Sequence, residues 1–171
     1  MDDITRLKVL KAYDKLPKQI KKVLRLEENF YKLEIVKNIK NNEYILGESE
    51  VLYREWELER YIRIKSRDED ELIRGKFYIS IETVFYHECG HAIHYELMLN
   101  DIKILNEFID IFKKEKESFV TNGCGYYKYS INEYFAQSFS EYFINPNRLR
   151  ENTPETYEFI KTFIEDCEDL F

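Results

Sequence analysis

The sequence predicts an α+β domain, mostly helical with a small mixed sheet, built around one helix over about residues 80–99. Two observations predict it. Apolar residues recur at helical spacing near the N-terminus and from residue 80 onward, whereas short β-branched and aromatic runs occupy 30–79. Residues 80–99 also run without a proline, behind Ser80 as a plausible N-cap and Glu82 in the first turn, where the helix dipole favours an acid.

Each element follows from local pattern. Ile4, Leu7 and Leu10 share a helical face, and Pro17 opens a second helix carrying Ile20, Val23 and Leu24. Residues 30–39 read as a strand through Leu33, Ile35 and Val36. Residues 44–47 read as a short strand or turn, 50–65 suit helix or strand equally, and 67–71 form a charged loop. Residues 77–79 are a strand entering the central helix, whose apolar faces come from Val84, Phe85, Ala92, Ile93, Leu97 and Met98. A helix over about 102–117 is lined by Ile102, Leu105, Ile109 and Phe112. A Gly- and Tyr-containing loop covers 121–130, a helix covers 131–143, and Thr153-Pro154 start a last helix through Phe163 and Ile164. Repeats, low-complexity tracts and linkers are absent, so residues 1–171 are expected to form one domain.

Composition narrows the function. A chain of 171 residues, 44% hydrophobic, can bury a core, and its 14 Tyr and 12 Phe are chiefly core rings. The net charge of −7 argues against a nucleic-acid partner, since phosphate binding needs a basic face. Three cysteines (Cys89, Cys124 and Cys167) with no C-x-x-C pair indicate neither a disulfide framework nor a structural zinc site. No run of 18 apolar residues exists to span a membrane. The N-terminus shows no apolar signal segment. The chain as written is therefore expected in the cytoplasm, or outside the cell if a signal was trimmed ahead of Met1.

The central helix carries the chemistry. His87-Glu88-Cys89-Gly90-His91 reads H-E-x-x-H, the zinc-metallopeptidase motif. Residues four apart are offset by about 40° around a helix, so both imidazoles leave one face and can hold one metal ion. Glu88 sits about 100° round from His87, beside the ion, where it can take a proton from a metal-bound water. Cys89 is turned away from that face. Gly90 costs about 1 kcal/mol relative to alanine inside a helix, and close approach of a neighbouring backbone would explain it.

A catalytic zinc needs a third protein ligand. The extended motif with a third histidine fails, because position 97 is Leu, and Glu96 on the same helix cannot curl back. Acids on later helices remain. Glu133, Gln137 and Glu141, spaced i, i+4, i+8, make a polar stripe on an otherwise aromatic helix and suggest a buried site facing it. Glu133 has an equally good local alternative: Ser130-Ile131-Asn132-Glu133 is a capping-box pattern. His94 is more readily a packed or supporting group than a ligand.

HECGH followed by NEYFAQSF resembles the catalytic domain of anthrax lethal factor and the Pro-Pro endopeptidases, over about residues 80–165. The resemblance implies a zincin-like metallopeptidase fold, one Zn2+ per chain held by His87, His91 and Glu133, and Glu88 as general base. It also implies a transition-state donor, Tyr126, seven residues before Glu133, with Tyr127 and Tyr129 as neighbours that could take the role. Gln137 departs from the family, which has a second Glu there; a neutral amide can still hydrogen-bond a ligand. The expected partner is a protein or peptide substrate of unspecified sequence, since the family includes proteases selective for proline-rich sites and others cutting near basic clusters. The chain is expected to be monomeric. Two other functions fit the motif: a non-catalytic zincin-fold binding module of a toxin or phage protein, and a cytoplasmic regulatory protease. The intact Glu88 weighs against the first. The lack of an attached DNA-binding region and the position of Glu133 weigh against the second.

Overall fold

A computed structural model describes residues 2–40, 45–54, 57–66, 71–73, 77–121 and 125–167. The strands are β1 (Lys32–Val36), β2 (Gly47–Arg54), β3 (Glu57–Lys65), β4 (Glu71–Ile73) and β5 (Phe77–Ile79). The helices are α1 (Asp2–Lys15), α2 (Lys18–Leu24), α3 (Ile81–Asn100), α4 (Ile102–Glu115), α5 (Ile131–Ile144), α6 (Pro146–Asn152) and α7 (Pro154–Asp166). A 3-10 turn, Gly125–Tyr129, precedes α5. The architecture is α+β and mostly helical. One small mixed sheet has the order β1-β3-β2, with β1 parallel and β2 antiparallel to β3, and β4 and β5 form a separate antiparallel pair.

Of residues 50–65, which suit helix or strand by sequence, the described ones, 50–54 and 57–65, are strand. Their charges alternate with apolar residues, and the sheet uses both faces. Ile62 and Ile64 are buried, while Arg63 on the other face reaches Glu34 and Glu50 at 2.8 Å each and Glu48 at 3.3 Å. These ion pairs join all three strands.

The sheet and the helices meet on α3. Ser80 caps it as expected, accepting the Thr83 backbone N–H at 3.1 Å. Most of α3 is buried, which suits a helix with apolar residues on several faces. Tyr86 ties it to α1 by donating to the Ala12 carbonyl at 3.1 Å. Glu96 ties it to the sheet region: its buried carboxylate accepts from the Tyr31 hydroxyl at 2.9 Å and from Arg60 Nε at 2.8 Å. That pairing explains an acid in the core, since a buried charge without a partner is costly.

Several local expectations need correction. Ile4, Leu7 and Leu10 do not face the core; they are 47%, 53% and 45% exposed. The buried stripe of α1 is Thr5, Val9 and Ala12, continued by Leu16 just past its end, a truer helical spacing with small residues that admit a close neighbour. On α4, Ile102 is exposed and Phe108 with Leu105 holds the core, because the stripe drifts toward Ile111 and Phe112. Thr153 does not cap α7: its hydroxyl donates to the Leu149 carbonyl at 3.1 Å. Glu115 of α4 caps α7 instead, accepting the backbone N–H of Glu155 at 3.0 Å and of Thr156 at 2.8 Å. A carboxylate there also meets the positive end of the helix dipole. Helix α6 has no counterpart among the elements the sequence predicts. Among the described residues no helix is long and apolar enough to cross a membrane. Cys89 and Cys167 are buried thiols that form no disulfide among the described residues; Cys124 lies outside the described residues.

Candidate active site

Two glycines let two elements, α5 and β2, converge on α3. A Cβ at Gly90 would lie 2.6 Å from Ala136 Cα and 3.1 Å from Phe139 Cβ. The backbones of α3 and α5 therefore touch, as the cost of a mid-helix glycine suggested, and a methyl group there would force them apart. This contact carries Glu133, one turn before Ala136, over the histidines. Gly47 does the same for β2: a Cβ would sit 2.6 Å from Val84 Cγ1 and 2.7 Å from Glu88 Oε1. The sequence marks 44–47 as a short strand or turn but does not place Gly47, the first residue of β2, in the site.

The geometry gathers the residues singled out by the sequence. The rings of His87 and His91 stand edge to face, 4.6 Å between centroids. Glu133 Oε2 is 3.5 Å from His87 Nε2, and Glu133 Oε1 is 3.5 Å from His91 Nε2. The three ligand-type atoms lie within 4.8 Å of one another, so these side chains could hold a metal ion. A tetrahedral ion with bonds of about 2.0–2.2 Å wants neighbouring ligand atoms about 3.4 Å apart, which matches the carboxylate–imidazole spacing. The capping-box alternative for Glu133 is not what forms. The Ser130 side chain makes no cap bond and turns to Asn132 instead.

Electrostatics follow from burial and these contacts. Burial disfavours a charged His87, but the facing Glu133 and the nearby Glu88 more than offset it and raise its pKa. Burial and His87 together push His91 down. The hydrogen bond with His87 leads in holding Glu133 below the usual carboxylate range. Burial raises Glu88 to about 7, helped by the Glu133 and Glu48 carboxylates. A carboxyl titrating near neutrality is suited to exchanging protons.

The raised Glu88 predicts a pH effect on the metal-free protein. A folded-state pKa above the unfolded value stabilises the fold fully only below the unfolded pKa, ordinarily 4.5, and that contribution is lost as pH rises through about 7. Metal-free Glu88→Gln should therefore melt above wild type past pH 7, by a few kcal/mol at most, since a tenfold difference in proton affinity is worth about 1.4 kcal/mol. The gap should narrow steadily toward pH 4.5. Thermal melts across this range check it; parallel curves would show that Glu88 is not titrating in the fold.

The histidines, Glu88 and Glu133 line a cavity of about 690 Å³ between β2, α3 and the start of α5. His94 lines it too, but is 4% exposed, packs on Phe135 and is pushed down to about 4 by burial. It is a packed histidine outside the three-residue cluster. Cys89 is fully buried in the core, away from the cavity, as expected. Of the three tyrosines, Tyr127 donates to the Phe119 carbonyl at 3.0 Å and is buried, and Tyr129 is 85% exposed. The Tyr126 side chain lies outside the described residues.

Sequence reasoning also missed what surrounds the polar stripe of α5. Gln137 Nε2 donates to Thr121 Oγ1 at 2.8 Å, Thr121 Oγ1 donates to Glu141 Oε1 at 2.9 Å, and Arg148 clasps Glu141. Nothing in the local pattern of Thr121 or Arg148 announced this.

The α+β body carries, in a cleft, a His-His-Glu cluster that could hold a metal ion, with two of its members on α3. Residues 61–163, more than half of the chain, match the family described as anthrax toxin lethal factor, N- and C-terminal domain, and the chain belongs to that family. It is similar to a Pro-Pro endopeptidase of Clostridioides difficile, 38% identical over 79 residues, covering 44% of this chain and 34% of that protein. It is also similar to a Pro-Pro endopeptidase of Paenibacillus alvei, 39% identical over 77 residues, covering 43% of this chain and 35% of that protein. The matched stretch thus spans about a third of the length of each relative.

Proposed function

We propose that residues 1–171 form one zincin-like domain and that this domain is a zinc-dependent endopeptidase. The observation that carries this reading is the convergence of His87, His91 and Glu133 within 4.8 Å, with Glu88 buried beside them. Two imidazoles and one carboxylate are a donor set suited to Zn2+, bound once per chain with a position left open. When bound, the zinc would acidify water and polarise the scissile carbonyl.

The chain's own groups do the rest. Glu88 accepts a proton from the attacking water and passes it to the leaving amine. Its burial and near-neutral pKa favour both transfers. Glu133 is ionised, its pKa lowered first by its hydrogen bond with His87. Tyr126 donates a hydrogen bond to the developing oxyanion. Tyr127 is committed to the core and Tyr129 to solvent, which supports Tyr126 for this role. The relatives' name makes proline-containing peptides the first substrate class to try.

Cleavage profiling against a peptide library tests the reading. Cutting should stop on chelation and return with zinc; a zinc-loaded protein that cuts nothing would return it to the class of binding modules. Within the same assay, Tyr126→Phe should keep zinc and lower kcat by about 10²–10³, with little change in KM. Tyr127→Phe and Tyr129→Phe are the controls, and a larger kcat loss in either moves the role to that residue.

A further inference from the structure

We infer that this chain associates head to tail, the outward face of α1 in one copy docking in the groove between α4 and α7 of the next. The contact is independent of the peptidase reading. Its first surface is the stripe Ile4, Leu7 and Leu10. At 100° per residue these three spread over about 120° of α1, the width a helix normally turns toward a core. All three are exposed, while Val9 and Ala12 on the opposite side hold α1 to the core. Single exposed leucines are ordinary on a surface, but three large apolar residues on one helix face make an interaction patch. From Ile4 to Lys11 the helix carries Arg6, Lys8 and Lys11 and no acid, so the stripe is set among positive charges.

The second surface is a groove of about 940 Å³ between α4 and α7. Its floor is apolar, from Ile104 and Ile111 of α4 and Phe159 and Phe163 of α7. Its walls carry the carboxylates of Glu107, Asp110, Glu155, Glu158 and Asp166 against the single ammonium of Lys114. Glu155 holds Lys114, and two lysines outside the groove, Lys113 and Lys161, stand 2.9 Å from Asp110 and 3.9 Å from Glu158. Glu107 and Asp166 have no ion pair among the described residues.

The two surfaces fit in length, polarity and charge. α1 has 14 residues and the helices that wall the groove have 14 and 13, so all three are about 20 Å long. Laid between α4 and α7, α1 sets its three large apolar side chains on the apolar floor and brings its cations to the acidic walls. A plain apolar ligand would leave those carboxylates unanswered, and an acidic partner would be repelled; a basic amphipathic helix meets both demands, and the chain itself displays one. Stripe and groove are different surfaces, so the contact is heterologous, and a pair still has one stripe and one groove open for further copies. The candidate active site stays accessible, since groove and cleft share no lining residue.

Sedimentation and light scattering of the whole chain test this with no need of zinc or activity. The average mass should rise with protein concentration and fall with added salt. Leu7→Glu and the double variant Glu107→Lys/Glu158→Lys change only exposed positions, and melting checks that each is folded. Each should dissociate at least about tenfold more readily than wild type, the scale set by withholding one leucine from an interface. An equimolar mixture of the two should form dimers and nothing larger, because Leu7→Glu keeps an intact groove and the double variant an intact stripe. Only two different surfaces that meet each other give that result. A wild-type chain that stays monomeric at millimolar concentration overturns the inference, even if a synthetic leucine–lysine helix enters the groove, which would then belong to another protein. Association that survives both variants places the contact elsewhere, and a mixture that stays monomeric shows that stripe and groove do not meet; either result overturns it as well.

Discussion

Glu133→Ala is expected to yield a folded protein that no longer retains zinc. Both oxygens of Glu133 face the cluster, each 3.5 Å from one imidazole Nε2, so truncation leaves two histidines on one helix to hold an ion alone. Among the described residues no capping box forms at the start of α5: the Ser130 side chain makes no cap bond and hydrogen-bonds to Asn132 instead. Supporting residues around metal sites are worth 10–100-fold in affinity, and a direct ligand should exceed that. Affinity should therefore fall well over a hundredfold, read by elemental analysis after gel filtration and by chelator competition. His91→Ala should behave alike. A Glu133→Ala protein that keeps one zinc per chain and only melts lower, by about 1 kcal/mol, would return Glu133 to a helix-capping role.

The parts of this fold that were legible are those written in short range. Ser80 at the start of α3, the turn of Pro17, and the glycine in HECGH each act through neighbours in the chain or through one facing backbone, and Gly90 meets Ala136 as its cost implied. The misreadings come from tertiary choices. Ile4, Leu7 and Leu10 look like a core stripe because they are the largest apolar residues of α1, yet the smaller Ala12 and Thr5 allow the closer contact. Glu115 replaces Thr153 as the cap of α7 because a helix distant in sequence brings it there. The site shows the same division. His87, Glu88 and His91 are fixed by helix geometry, whereas local pattern narrows the third residue only to an acid on a later helix and the family resemblance singles out Glu133. Gly47, Thr121 and Arg148 have no sequence signature at all, since their roles depend on which atoms lie opposite them in space.

Glu88→Gln should separate proton transfer from metal binding. The amide has the shape of the carboxyl, so β2 can still pack over it where a Cβ on Gly47 would come within 2.7 Å of Oε1. The three cluster residues are untouched, and zinc content should stay at one per chain. What is lost is the ability to accept a proton near neutral pH. A positioned general base contributes about 10²–10⁴ in rate, so kcat/KM should fall by that factor with KM nearly unchanged. Glu88→Asp is the discriminating companion. It keeps the acid but withdraws it by one methylene from the atoms it serves, and a misplacement of about 1 Å can cost 10²-fold. The Asp variant should therefore fall between wild type and Gln. If Glu88→Gln cleaves at the wild-type rate with zinc in place, the base is another group and the burial of Glu88 serves the fold alone.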